Sequence, residues 1–140
     1  MKSRRLIAII ALVILSPLAV AHSTSGLISR EKLMNIVLAA LPGHQLTAVT
    51  VTLKPGASAP AHYHEATVFA YVLSGTVQSQ LNDQLIQTWQ AGDSWIERPG
   101  DQHTLTRNPS QQDNATILAV FVAEQNARLT TSGALSSPAK

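Results

Sequence analysis

The stretch PGASAPAHYHEATVFAYVLSG, Pro55 to Gly75, sets two histidines in front of a run of β-forming residues. In an extended chain, residues two apart project to the same side. His62 and His64 therefore point together, with Tyr63 facing away. Two imidazoles on one face make a bidentate platform for a transition metal. Surface histidines at this spacing are common, so the pair alone decides little. A third histidine, His103, follows the turn sequence RPGDQ, in which Pro99-Gly100 can reverse the chain and bring the ring back over the sheet.

Working outward, the same two-residue period recurs. In LTAVTVTL (46–53), Val49, Val51 and Leu53 share one face and Thr50 and Thr52 the other. TVFAYVLSG is a strand closed by Gly75. TVQSQL and QLIQTWQ flank a hairpin turn at Asn82-Asp83, and GDSWIERPG, HTLTRN and ATILAVFVAE supply three more strands. Before these, Leu33, Ile36, Val37, Ala40 and Leu41 fall at helical spacing. Ser29 is the N-cap and Pro42-Gly43 the stop, which predicts one short helix over 29–41. Short strands between turn signals, led by one helix, indicate an all-β sandwich or barrel.

The two histidine segments resemble the paired motifs of the cupin superfamily. The first motif, Gly-x5-His-x-His-x3-Glu-x6-Gly, is matched by Gly56, His62, His64 and Gly75. The second is matched by Gly92, Gly100 and His103. The stretch between them, Thr76 to Ala91, is as compact as in small single-domain bacterial cupins. The resemblance covers about Leu46 to Glu124 and implies a jelly-roll β-barrel. It also implies that His62, His64 and His103 point inward and hold one divalent transition metal, of the set Fe, Mn, Zn, Ni or Cu. As small cupins often are, the protein would be a homodimer.

The departures from the motifs carry information. Val68 stands where the first motif has its glutamate, and Arg98 and Arg107 replace the proline and asparagine of the second. Three neutral imidazoles leave the full dication charge on the metal, which favours anionic ligands and a more acidic bound water. A replacement carboxylate is offered by Glu97, which shares a face with Trp95 in SWIE. Inward, Glu97 is a fourth ligand or a base beside the metal; outward, it forms a salt bridge to Arg98 or Arg107. Glu65 has the opposite phase from His64, and His44 follows a turn.

The rest of the chain bounds location and class. MKSRR, the apolar run Leu6–Leu15 and Ala19-Val20-Ala21 read as a secretory signal peptide, residues 1–21, cleaved after Ala21. SRRLI partly matches a twin-arginine signal. The 140 residues carry 10 Lys+Arg and 8 Asp+Glu. Lys2, Arg4 and Arg5 leave with the signal, so 7 basic residues face 8 acidic ones and the mature charge is −1. Nothing in that balance points to nucleic acid, or to a membrane after cleavage. With no cysteine, disulfides and thiolate chemistry are excluded. The expected order is leader and helix over 22–45, barrel over 46–126 and a flexible tail over 127–140. The expected function is a periplasmic or secreted metal-binding cupin acting on a small molecule, by dioxygenase-type or related chemistry. The alternative is a non-enzymatic module that binds or senses a metal or small ligand.

Overall fold

The structure, a computed structural model, describes residues 26–133. The expected signal peptide, residues 1–21, lies outside them. The described chain is built from eleven strands: β1 Ile28–Val37, β2 His44–Leu53, β3 Ser58–Ala59, β4 His62–Tyr63, β5 Thr67–Ser74, β6 Thr76–Leu81, β7 Gln87–Gln90, β8 Ser94–Glu97, β9 Gln102–Arg107, β10 Ala115–Glu124 and β11 Thr131–Ser132. They form two antiparallel sheets. One has the order β1-β2-β10-β5-β8; the other runs β11-β4-β9-β6-β7, with β3 also paired to β9. From β4 onward the chain crosses repeatedly between the sheets, with only the β6–β7 hairpin staying within one, which gives the expected jelly-roll barrel.

Alternation drives the packing. In β10, Ala115, Ile117, Ala119, Phe121 and Ala123 are buried, and the residues between them are half-buried on the outer face. Their cross-strand partners continue the inner face, so that Val51, Ile117 and Val72 form one row, and Thr47, Phe121 and Val68 another. Two apolar clusters result. One centres on Leu53, Val72, Val77, Trp95 and Ile117, the other on Ala66, Val68, Ala119 and Phe121. Gly75 separates β5 from β6 with φ of +74°, and a Cβ there would lie 2.4 Å from the Asn114 carbonyl oxygen. The sheets join this closely only because that residue has no side chain.

Two expectations are corrected. The segment expected to be a helix over 29–41 is the edge strand β1, paired along its length with β2. A register shift between Lys32 and Met34 explains the misleading pattern. Ile28, Arg30 and Lys32 face inward before the bulge, whereas Met34 and Ile36 pair with outward residues after it. The extra residue breaks the two-residue period and imitates helical spacing. Pro42-Gly43 belongs to the hairpin between β1 and β2. The expected flexible tail is corrected as far as Gly133. Leu129 packs against the second cluster, and β11 pairs with β4 through Thr131↔Tyr63 and Ser132↔His62.

Candidate metal centre

Strands β4 and β9 set His62 directly opposite His103. Residues so paired share a face, and the two rings stack with centroids 4.9 Å apart. His64, one residue past β4, stays on the same side, its ring 5.1 Å from His62 and 5.9 Å from His103. The turn before β9 is clipped to it, because the Gly100 N–H donates to the His64 carbonyl at 2.8 Å. Gly100 adopts φ of +85° there, a left-handed conformation that suits glycine.

Each ring is held through Nδ1. His62 donates to the Pro60 carbonyl at 2.8 Å, and His64 to the Leu129 carbonyl at 2.6 Å. His103 Nδ1 lies 2.6 Å from the Thr106 hydroxyl, which can accept in the same way. A carbonyl can only accept, so Nδ1 of His62 and His64 carries the proton and Nε2 keeps a free lone pair. Acceptors of this kind fix the tautomer and aim of metal-binding imidazoles.

Glu97 reaches the same point from the other sheet. It is 3% exposed, and its Oε1 accepts from Trp95 Nε1 at 2.9 Å. His103 Nε2 lies 2.9 Å from Oε1, and His64 Nε2 lies 3.4 Å from Oε2. Yet His103 Nε2 and Glu97 Oε2, both sealed from solvent, have no hydrogen-bond partner. The short His103 contact brings the atoms together without the alignment of a hydrogen bond. Ligand atoms of His64, Glu97 and His103 all fall within 4.8 Å of one another, with the His62 ring beside them. Orphaned buried atoms, two converging imidazoles with the His62 ring alongside, and one carboxylate make a donor set that suits a divalent transition metal.

Electrostatics favours the same charge state. Burial pushes the His62 ring from 6.5 down to about 4, helped by the neighbouring His103 and His64 and opposed by the Pro60 hydrogen bond. Burial likewise lowers His64, against the charge of Glu97. For Glu97, burial alone would raise the carboxyl. The close approach of His103, the neighbouring His64 ring and the Trp95 hydrogen bond outweigh that and hold it below its ordinary value. Neutral His62 and His64 rings around an ionised carboxylate are the form that binds a cation.

The salt-bridge reading of Glu97 is not realised. The ion-pair contacts of Glu97 are with His64 and His103; the Arg98 backbone N–H donates to the Asp101 carboxylate, and Arg107 Nε donates to the Gln78 side chain. Trp95 is a buried wall, stacked on Trp89 at 5.1 Å. Glu65 is exposed. Asn108, one place beyond the motif position, is fully buried and donates to the carbonyls of Leu53, Lys54 and Asp113. Sequence reasoning missed Pro60, Thr106 and Leu129. Only the last lies far from its histidine in the chain, and it was hidden in the presumed tail. The site forms the floor of a cavity of about 380 Å³, walled by residues that include Val49, Val51, Ile117, Ala119 and Phe121.

The cupin domain family matches residues 49–121, just over half of the chain. The chain belongs to the cupin family. No curated protein matches it. Solved structures share this cupin fold. An uncharacterized conserved protein with a double-stranded β-helix domain from Klebsiella pneumoniae is 20% identical, with a TM-score of 0.62 over 81% of this chain and 90% of its own. A polyketide cyclase from Streptomyces resistomycificus is 22% identical, with a TM-score of 0.59 over 84% of this chain and 78% of its own. Oxalate decarboxylase from Bacillus subtilis is 25% identical, with a TM-score of 0.55 over 70% of this cupin, which spans 26% of that enzyme.

The register accounts for the missing glutamate of the first cupin motif. Val68 occupies that motif position and is the direct cross-strand partner of Glu97. Both are buried on the same face, one strand spacing apart, about 4.8 Å. Glu97 on β8 thus offers a carboxylate directly beside the β5 position where the motif has its glutamate. Glu97→Val is therefore expected to weaken metal binding by at least about 100-fold, the upper range for losing even an outer-shell partner. Adding Val68→Glu should restore most of it, as measured by competition with a chromophoric chelator. A double variant as weak as Glu97→Val would show that Glu97 does not serve the metal.

Proposed function

We propose that this protein is an exported cupin that holds one divalent transition metal through His62, His64, His103 and Glu97 and acts on a small molecule bound above it. Supporting this is the convergence of ligand atoms of His64, His103 and the buried Glu97, with the His62 ring stacked beside them, in a small-molecule-sized cavity. Export to the periplasm or beyond rests on the leader sequence alone.

A bound ion would supply Lewis acidity or oxygen activation. The chain's own residues do the rest. Pro60, Leu129 and Thr106 keep the imidazoles aimed and neutral. Trp95 fixes one oxygen of Glu97 and leaves the carboxylate able to help hold a cation. The aliphatic wall excludes water and sets the ligand's orientation. Dioxygenase-type oxidation is the reaction we favour. Decarboxylation is next, and the likeness to oxalate decarboxylase supports it.

Protein purified from the periplasmic fraction should carry about one transition metal per chain by elemental analysis. His103→Ala should retain less than about a tenth of it while staying folded. Oxygen uptake with thiols, diketones or phenolic acids should follow metal content. Metal bound stoichiometrically with no turnover of any of them would favour the binding-module alternative, and undiminished metal in His103→Ala would reject the site.

The outer face of the five-stranded sheet supports a homodimer. Ile96, Phe69, Val120, Ala48 and Met34 form one apolar row across all five strands. Phe69 is 40% exposed and Ile96 56%. Five strands at about 4.8 Å spacing, up to ten residues long at about 3.3 Å each, present a face of roughly 24 by 33 Å. That is on the order of the 800 Å² per partner of a standard interface. An uncharged row can pack on its own copy about a two-fold axis without a charge match. In sedimentation at about 10 μM, the wild type should be a dimer and Phe69→Glu a monomer with unchanged metal content. A monomeric wild type would contradict this.

A further inference from the structure

The correction of β1 from helix to strand places two cations where a helix would have put them in solvent. Arg30 pairs with Val51 and Lys32 with Val49. Val49 and Val51 line the cavity above the histidines, and residues paired directly across two strands share a face. Arg30 and Lys32 therefore project to the cavity side, and both line it. Glu31, between them, faces the other way. Among the described residues, neither cation has a carboxylate within salt-bridge distance; the ion pairs there are those of Glu97 with His64 and His103.

The cavity's charges are correspondingly one-sided. Its other charged residue is Glu97, which is turned to the imidazoles. Arg30 (+1), Lys32 (+1) and Glu97 (−1) sum to +1 with neutral histidines. Between the cations and the floor, the lining is aliphatic and aromatic: Val49, Val51, Ile117, Ala119 and Phe121. A low-dielectric wall next to unpaired cations focuses a positive potential into the cleft.

Edge strands commonly carry inward charges to block pairing with other chains. That role needs only one charge of either sign. Two like charges on alternate residues, flanking one cavity and lacking counter-ions, fit a ligand's negative group better.

We propose that Arg30 and Lys32 form an anion clamp on the β1 wall, so that the ligand is a small organic carboxylate with an apolar body. The carboxylate sits on the clamp, the body lies along the Val49–Val51 wall, and the other end reaches the floor. This rests on the reading of the cavity as the ligand site and goes further, to the ligand's class and the residues that select it. Arg30 supplies a planar fork for two carboxylate oxygens, and Lys32 a point charge.

The test uses benzoate, phenylacetate and hexanoate, each against its neutral amide, followed by the fluorescence of the cavity tryptophan, Trp95, and by calorimetry. At least one carboxylate should bind the wild type about 10-fold or more tightly than its amide. Arg30→Gln with Lys32→Gln should abolish that preference, and Arg30→Glu should reverse it. Amide binding and the metal content per chain should be unchanged. Unchanged metal content separates this result from a failure of the metal centre, which would lower metal in the wild type itself. The proposal is overturned if no carboxylate outbinds its amide in the wild type, or if the double variant keeps the preference. A double variant that self-associates while keeping the preference would assign the cations to edge protection and overturn it equally.

Discussion

A carboxylate sealed from water must meet positive charge or hydrogen-bond donors, or its burial costs several kcal/mol. Glu97 is in that position. Trp95 satisfies one of its oxygens, and the other has no hydrogen-bond partner although the His64 ring stands 3.4 Å away. The surrounding rings cannot all answer it as cations, since burial drives His62 and His64 towards the neutral form. A divalent ion among them would resolve the conflict, held by the carboxylate and by lone pairs that the Nδ1 hydrogen bonds leave free. The rest of the site follows from this requirement, including the backbone acceptors behind the rings and the aliphatic lining above them.

The barrel makes such a meeting possible because it brings two sheets to one point. His62 and His103 come from one sheet, Glu97 from the other, and the Pro99-Gly100 turn carries the chain between them. Gly100 ties that turn to the backbone of His64. The chain after β10 returns to close the arrangement, since Leu129 accepts from His64 and β11 pairs with the strand that bears His62. Truncation of that return would loosen a histidine more than 60 residues away in sequence.

Much of this was legible in the residues. The His-x-His spacing, the turn before His103 and the placement of glycines identified the barrel and gathered the three rings. The phase of SWIE put Glu97 on one face with Trp95 but left open whether that face was inward. What alternation cannot supply is register. That Val68 and Glu97 are direct partners depends on which strand lies beside β5, and local pattern does not encode this. The bulge after Lys32 defeated the reading of β1, because one extra residue converts an alternating pattern into a helix-like one. With it went the side on which Arg30 and Lys32 stand. The last strand, of two residues, carries too few positions for any period to appear, so the segment after Ala127 read as tail.

The most direct test of a shared cation at Glu97 is X-ray absorption at the edge of the metal resident in the purified protein. The account predicts one ion with three imidazole nitrogens at about 2.0–2.2 Å and a carboxylate oxygen at similar distance, the oxygen being lost in Glu97→Gln. A protein without bound metal, or an ion whose coordination shell is the same in Glu97→Gln, would contradict it.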